Sequence, residues 1–93
     1  MGTAFSPLVS RWLLAAAELE SHALAHFCLW LAADATARGQ LDVSPGQIAR
    51  RRGLTYEKVR SNLALLVKLG LLDPVQSASR TRPARYALRL PQV

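Results

Sequence analysis

Hydrophobic residues in the first part of the chain recur at the spacing of an α-helix. One such stripe follows Ser6-Pro7, a typical helix start, because Ser caps free backbone amides and Pro at the first helical position loses no hydrogen bond. Its apolar positions are Leu8, Val9, Trp12, Leu13, Ala16 and Leu19. A second helix is predicted from about His22 to Arg38, followed by Gly39 in a left-handed conformation. The polar residues at 18–21 leave open whether one helix or two cover this region.

The middle of the chain predicts a brief extended link at residues 41–43 and then a short helix, Pro45–Arg52. Ser44 is expected to cap this helix, and Gln47 stands where the second member of a capping box belongs. Gly53 ends the helix and permits a sharp turn. A helix, a short turn with glycine and a second helix are therefore expected here.

The second of these helices is predicted at Tyr56–Leu69, with Thr55 as its cap and Gly70 at its end. The pattern then changes from helical to extended. Leu71–Val75 reads as a short strand, and Arg85–Leu90 alternates polar and apolar residues as a half-buried strand does. A polar, basic loop joins the two strands, so the sequence predicts a β-hairpin.

The segment IARRRGLTYEKVRSNLALLVKLGLL, followed by a basic hairpin, resembles the winged helix-turn-helix family. In that family the recognition helix ends on Leu, two residues, a second Leu, then Gly and an apolar strand. These positions are here Leu66, Leu69, Gly70, Leu71 and Leu72. The resemblance covers roughly residues 21 to 90. It implies a mainly α fold with a small β-hairpin, a winged helix-turn-helix with an extra N-terminal helix.

The resemblance also suggests how the chain is organised. Residues 21–93 would form the winged helix-turn-helix domain, and residues 1–20 would add a helix that serves dimerisation. The predicted dimer interface consists of Leu8, Val9, Trp12, Leu13 and Trp30. Trp12, Phe27 and Trp30 are expected to fill the core and this interface rather than a ligand pocket.

Charge is distributed unevenly over the 93 residues, which suffice for one domain. Lys and Arg number 12 against 6 Asp and Glu, and ten of those cations lie at residues 43–93 together with two of the acids. A basic half of this kind favours a polyanionic partner. The single cysteine, Cys28, excludes an intrachain disulfide and suits a reducing cytoplasm. No apolar run reaches the ~20 residues of a membrane span.

The predicted DNA-binding residues follow from the resemblance and from side-chain chemistry. Arg60 is the leading candidate because arginine bridges the two acceptors of guanine in the major groove. Glu57 suits a cytosine amino group, although it equally stabilises a helix N-terminus. The full set is Thr55, Tyr56, Glu57, Lys58, Arg60, Ser61 and Lys68 on the recognition helix, Arg50, Arg51 and Arg52 before it, and Arg80, Arg82 and Arg85 in the wing.

Other chemistry finds little support in the sequence. His22 and His26 share a helix face but lack a third positioned ligand, so no metal is predicted. No nucleophile stands beside a base and no glycine-rich phosphate loop is present, so an enzyme and a cofactor are not expected.

The hypothesis from sequence is sequence-specific binding of double-stranded DNA by a cytoplasmic homodimer. Its role would be that of a transcriptional regulator, or of an accessory protein in plasmid or phage replication or partition. The alternative is a winged-helix protein-interaction module whose basic face grips an acidic protein.

Overall fold

Four helices and three strands make up the part of the chain that the computed structural model describes, residues 6–78 and 82–90. In chain order they are α1 Pro7–Ala17, α2 His22–Asp34, β1 Gln40–Val43, α3 Pro45–Arg52, α4 Tyr56–Lys68, β2 Leu72–Gln76 and β3 Ala84–Leu88. The chain is thus mainly helical with a small antiparallel sheet, and its first two helices are separate.

Side-chain capping fixes the start of three of these helices. The hydroxyl oxygens of Ser6, Ser21 and Thr55 accept hydrogen bonds from the backbone amides of Val9, Leu24 and Lys58. Ser44 is the exception, because it precedes α3 without making a side-chain cap bond. The capping box predicted from Ser44 and Gln47 is therefore wrong, and α3 depends on Pro45 and on its own packing for its start.

The second helix ends four residues earlier than the predicted Arg38. Its last residue is Asp34, and residues 36–39 form a tight turn that leads directly into β1. In that turn Thr36 accepts from the amide of Gln40 through its hydroxyl, at 3.0 Å. Gly39 has a φ of 83°, so the left-handed conformation predicted for it is confirmed. It lies in this turn, however, and not at the end of α2.

The hairpin predicted from sequence forms, and a third strand joins it. Strand β3 lies between β1 and β2 and is antiparallel to both. The link predicted at residues 41–43 is thus part of a strand, in which Leu41 lies opposite Tyr86 and Val43 opposite Ala84. The four-residue segment was too short to give a strong strand pattern, and its pairing partner lies more than 40 residues away.

One hydrophobic core joins all of these elements. It contains Val9 and Trp12 of α1 together with buried residues of α2, α3, α4 and the sheet. Helix α1 therefore packs into the same core as residues 21–90 and is not a separate unit attached to them.

Trp12 ties the first helix to the far end of α4. Its side chain is fully buried, and its indole Nε1–H donates to the backbone carbonyl of Leu71 at 2.7 Å. The same carbonyl accepts the amide of Arg89, at 2.9 Å, from the end of β3. One buried oxygen thus holds α1, the α4–β2 junction and the hairpin together.

Substituting Trp12→Phe should lower the free energy of unfolding by about 2 kcal/mol, because the indole hydrogen bond is lost and a smaller ring leaves space in the core. Chemical denaturation followed by circular dichroism measures this loss. Trp30→Phe is the matched control, and its half-exposed ring should cost less than half as much. Equal losses for the two variants would contradict the assigned role of Trp12.

Cys28 lies in the same core and is fully buried. Burial raises the pKa of its thiol to about 12, since the thiolate would lose its hydration. We expect the native thiol to react with a disulfide reagent at least tenfold more slowly than the denatured chain at pH 8, because the thiolate is the nucleophile. Stopped-flow detection of the released reporter thiolate, with and without denaturant, tests this. Similar rates in both states would show that Cys28 is accessible.

Candidate nucleic-acid interface

Helix α4 exposes one complete side to solvent. Val59, Leu63 and Leu66 are at most 2 % exposed and pack against the core, which fixes the rotation of the helix. Residues spaced four and seven apart on the other side, Glu57, Ser61 and Lys68, are therefore directed outward and are exposed. We call these outward residues and their two flanks the α4 face.

One flank of the α4 face borders the hairpin across a groove of about 290 Å³. Arg60 and Ala64 line it on the helix side, and Tyr86 of β3 lines it on the sheet side. The Tyr56 ring is 52 % exposed, and the guanidinium carbon of Arg60 lies 5.8 Å from its centroid. The arginine is thus held beside the groove by a cation–π contact and stays exposed.

The opposite flank of the α4 face borders α2. Lys58 and Asn62 point to this side, where a cavity of about 140 Å³ separates them from His26 and Trp30. Lys58 is exposed, so its ammonium group lies about half a turn around α4 from Arg60. Cations therefore border the outward residues on both sides.

The three consecutive arginines of α3 do not all point to the same side of the helix. Arg51 lies 3.9 Å from the carboxylate of Asp34, and Arg52 stacks 4.8 Å from the centroid of the Trp30 ring. Both thus point towards α2. The ion pair is exposed and stabilises by about 1 kcal/mol at most, so it orients Arg51 without fixing it. Arg50 is exposed beside Gln47 and makes neither contact.

Arg85 is not brought together with Arg60. Its Nε donates to a carboxylate oxygen of Asp42 at 2.8 Å, across the β1–β3 pair. Ala84 and Tyr86 line the groove, so the alternation of the strand directs Arg85 to the opposite face of the sheet. The structure therefore separates Arg85 from the groove and from Arg60, and its predicted contact with DNA is not part of the proposal made below.

The Asp42–Arg85 pair has an electrostatic signature of its own. The hydrogen bond from Arg85 lowers the pKa of the Asp42 carboxyl, and the same bond raises the pKa of the guanidinium. Any stability that the pair provides is therefore present above the ordinary carboxyl pKa and is lost as the pH falls through the lowered value.

Of the remaining wing residues, Arg82 is exposed near the start of β3. Arg80 lies outside the described residues. Thr55 is exposed but already uses its hydroxyl as the cap of α4. Arg60 and Lys68 of α4 and Arg82 of the hairpin are thus cations whose side chains are exposed.

The predicted dimer interface is largely used by the chain itself. Val9 and Trp12 are buried in the core, so their assignment to a subunit contact is wrong for the folded chain. Leu8 is half-buried and packs closely against Gly39. A Cβ added to Gly39 would lie only 2.7 Å from Cδ2 of Leu8. Leu13 and Trp30 are also half-buried. The more exposed apolar side chain of α1 is Leu14, at 71 %.

Sequence reasoning missed the sheet side of the groove. Tyr86 and Gln76 line it, and Gln76 donates from Nε2 to the carbonyl of Pro83 at 3.3 Å, which braces the base of the hairpin. The alternation of polar and apolar residues along β3 predicts that Tyr86 lies on the inner side of the strand. Only the packing of the sheet against α4 shows that this side borders a groove.

Two further searches cover the described part of the chain. No helix there is long and apolar enough to cross a membrane. Within residues 6–78 and 82–90, no three His, Cys, Asp or Glu side chains come together as metal ligands would.

Three comparisons with known proteins complete this description. The chain was compared with protein-family models, with curated proteins and with solved structures, and none of them matches it. Its function is therefore inferred from the geometry of the α4 face, the neighbouring cations and the hairpin.

Proposed function

We propose that the chain binds double-stranded DNA as a winged helix-turn-helix protein, with the α4 face in the major groove. The observation that carries the proposal is the α4 face itself, a fully exposed helix side bordered by Arg60 on one flank and Lys58 on the other. The major groove is about 12 Å wide and admits one α-helix. Helix α4 has 13 residues and no neighbour on its outward side among the described elements.

The arrangement of α3, α4 and the hairpin supports this geometry. Helix α3 ends on Gly53 in a left-handed conformation, with a φ of 67°, and α4 begins three residues later. A short turn with glycine between two helices is what a helix-turn-helix requires, and it supports the proposal. With α4 in the major groove, the hairpin would lie against the neighbouring minor groove or backbone. The DNA backbone that separates the major groove from the minor groove would then run along the protein groove between α4 and β3.

Five exposed cations have a direct role in this proposal. Arg60 stands beside the outward residues and suits the two acceptors of a guanine. Arg50, Lys58, Lys68 and Arg82 suit phosphates, which position the protein without reading sequence. Arg51 would have to leave its weak pair with Asp34 to join them. Glu57 is the acid on the α4 face, and it suits a cytosine amino group.

The biological role proposed is transcriptional regulation, or an accessory step in replication or partition of plasmid or phage DNA, in the cytoplasm. Such a role needs recognition of particular sequences in addition to phosphate binding. The α4 face would provide it, because Glu57, Arg60 and Ser61 together offer both hydrogen-bond donors and acceptors to base edges.

Substituting Arg60→Ala should weaken binding to a duplex selected from random DNA by about 5- to 150-fold, the effect of losing one bidentate base contact. Fluorescence anisotropy at fixed salt measures the change. Arg85→Ala is the matched control: it removes the same charge from the opposite face of the sheet and should leave affinity within about twofold. Thermal unfolding confirms that both variants fold.

Salt dependence separates DNA binding from the alternative of an acidic protein partner. The logarithm of the association constant for duplex DNA should fall linearly with the logarithm of the salt concentration, by about 0.9 for each phosphate neutralised. Equal affinities of the Arg60 and Arg85 variants, or a flat salt response, would contradict the proposal. Binding to an acidic protein without any affinity for DNA would favour the interaction module instead.

A homodimer remains a prediction with a changed interface. Leu14 projects from the outer side of α1, and a second copy of the chain would bury it. We expect sedimentation velocity to show a dimer for the natural chain and a monomer for Leu14→Lys, with unchanged helix content. A natural chain that sediments as a monomer, both free and bound to DNA, would contradict this prediction.

A further inference from the structure

A second site lies on the other flank of α4, apart from the groove that faces the hairpin. It is the cavity of about 140 Å³ between α2 and the first half of α4. Phe27, Trp30 and Leu54 form its apolar surface, and Lys58 and Asn62 of α4 together with His26 of α2 form its polar edge. Sequence analysis assigned Phe27 and Trp30 to the core and to a dimer interface, and this cavity is a third environment that they share.

The aromatic surface of the cavity is held in place by its neighbours. The rings of His26 and Trp30 lie 5.0 Å apart and are tilted by 42°, and Phe27 meets Trp30 edge-on at 6.2 Å. Arg52 stacks on Trp30 at 4.8 Å. Phe27 is fully buried, and Trp30 contacts the side chains of His26, Phe27 and Arg52. The walls of the cavity are therefore held in place by the protein itself.

The size and lining of the cavity indicate one aromatic ring. An apolar cavity of about 150 Å³ in a protein core takes up benzene, and this one has almost the same volume. The aromatic walls suit stacked and edge-on contacts with a planar ring.

The polar edge indicates the charge of the ligand. Lys58 carries a positive charge, Asn62 offers amide hydrogens, and Arg52 stands behind Trp30. No carboxylate belongs to the described lining of the cavity. An anionic group at this edge would therefore meet charge-assisted hydrogen bonds and no repulsion.

We propose that this cavity binds a small aromatic carboxylate, with the ring against Phe27 and Trp30 and the carboxylate at Lys58 and Asn62. The site goes beyond the proposed DNA binding and does not depend on it, although Lys58 belongs to both, as a phosphate contact there and as the carboxylate contact here. Benzoate is the simplest member of the class and serves as the probe.

Two-dimensional ¹H–¹⁵N NMR of the natural chain tests the proposal, because each indole N–H gives its own signal. Trp30→Phe assigns the two signals. Benzoate should shift the Trp30 signal saturably, with a dissociation constant on the order of 1 mM for a ligand of this size. The Trp12 signal should stay fixed, since that indole is buried and bonded to Leu71. Acetate, which lacks the ring, should leave the Trp30 signal unshifted.

Two variants test the position of the carboxylate. Lys58→Gln should weaken benzoate binding about fivefold or more, whereas Lys68→Gln removes the same charge from the same helix outside the cavity and should leave binding unchanged. Benzyl alcohol, which keeps the ring without the charge, should bind the natural chain as weakly as benzoate binds Lys58→Gln. No saturable shift of Trp30, equal binding by the two lysine variants, or equal shifts of both indoles would overturn the proposal. A loss of DNA binding would leave these measurements unaffected.

Discussion

The hydrogen bond from the Trp12 indole to the Leu71 carbonyl connects residues 59 positions apart, and the rest of the structure depends on it. It anchors the end of α4, because Leu71 lies only three residues beyond Lys68, the last residue of that helix. It also fixes the hairpin, because the same carbonyl accepts the amide of Arg89. Because the α4–β2 junction is bonded both to α1 and to the hairpin, the buried residues of α4 face the core in one orientation. That orientation determines which residues of α4 face solvent.

Pairing decides which cations the chain leaves available. Arg85 donates a hydrogen bond to Asp42 on one face of the sheet, and Arg52 at the end of α3 stacks on the Trp30 ring. Arg60 makes a contact as well, but with the half-exposed ring of Tyr56, so its guanidinium stays at the surface. A count of basic residues therefore overstates the binding surface, since a cation that is satisfied by its own chain contributes less to a partner.

The two flanks of α4 differ in chemistry although one helix forms both. On the hairpin side the groove of about 290 Å³ is lined by Arg60, Tyr56 and Tyr86. On the α2 side the cavity is half that volume and has the aromatic surface of Trp30. The difference arises because a sheet borders one flank and a helix borders the other, and helices pack with small irregular spaces between their side chains.

The sequence by itself determined the local elements: the starts of α1, α3 and α4, the turn at Gly53 and the hairpin all follow from caps, glycines and periodicity. It also determined the buried side of α4, since Val59, Leu63 and Leu66 recur at helical spacing. Only the tertiary structure decided that residues 41–43 pair with β3, that the Trp12 indole bonds to the Leu71 carbonyl, and that Arg85 faces away from Arg60. These outcomes depend on contacts between distant residues, and such contacts leave no periodic trace along the chain.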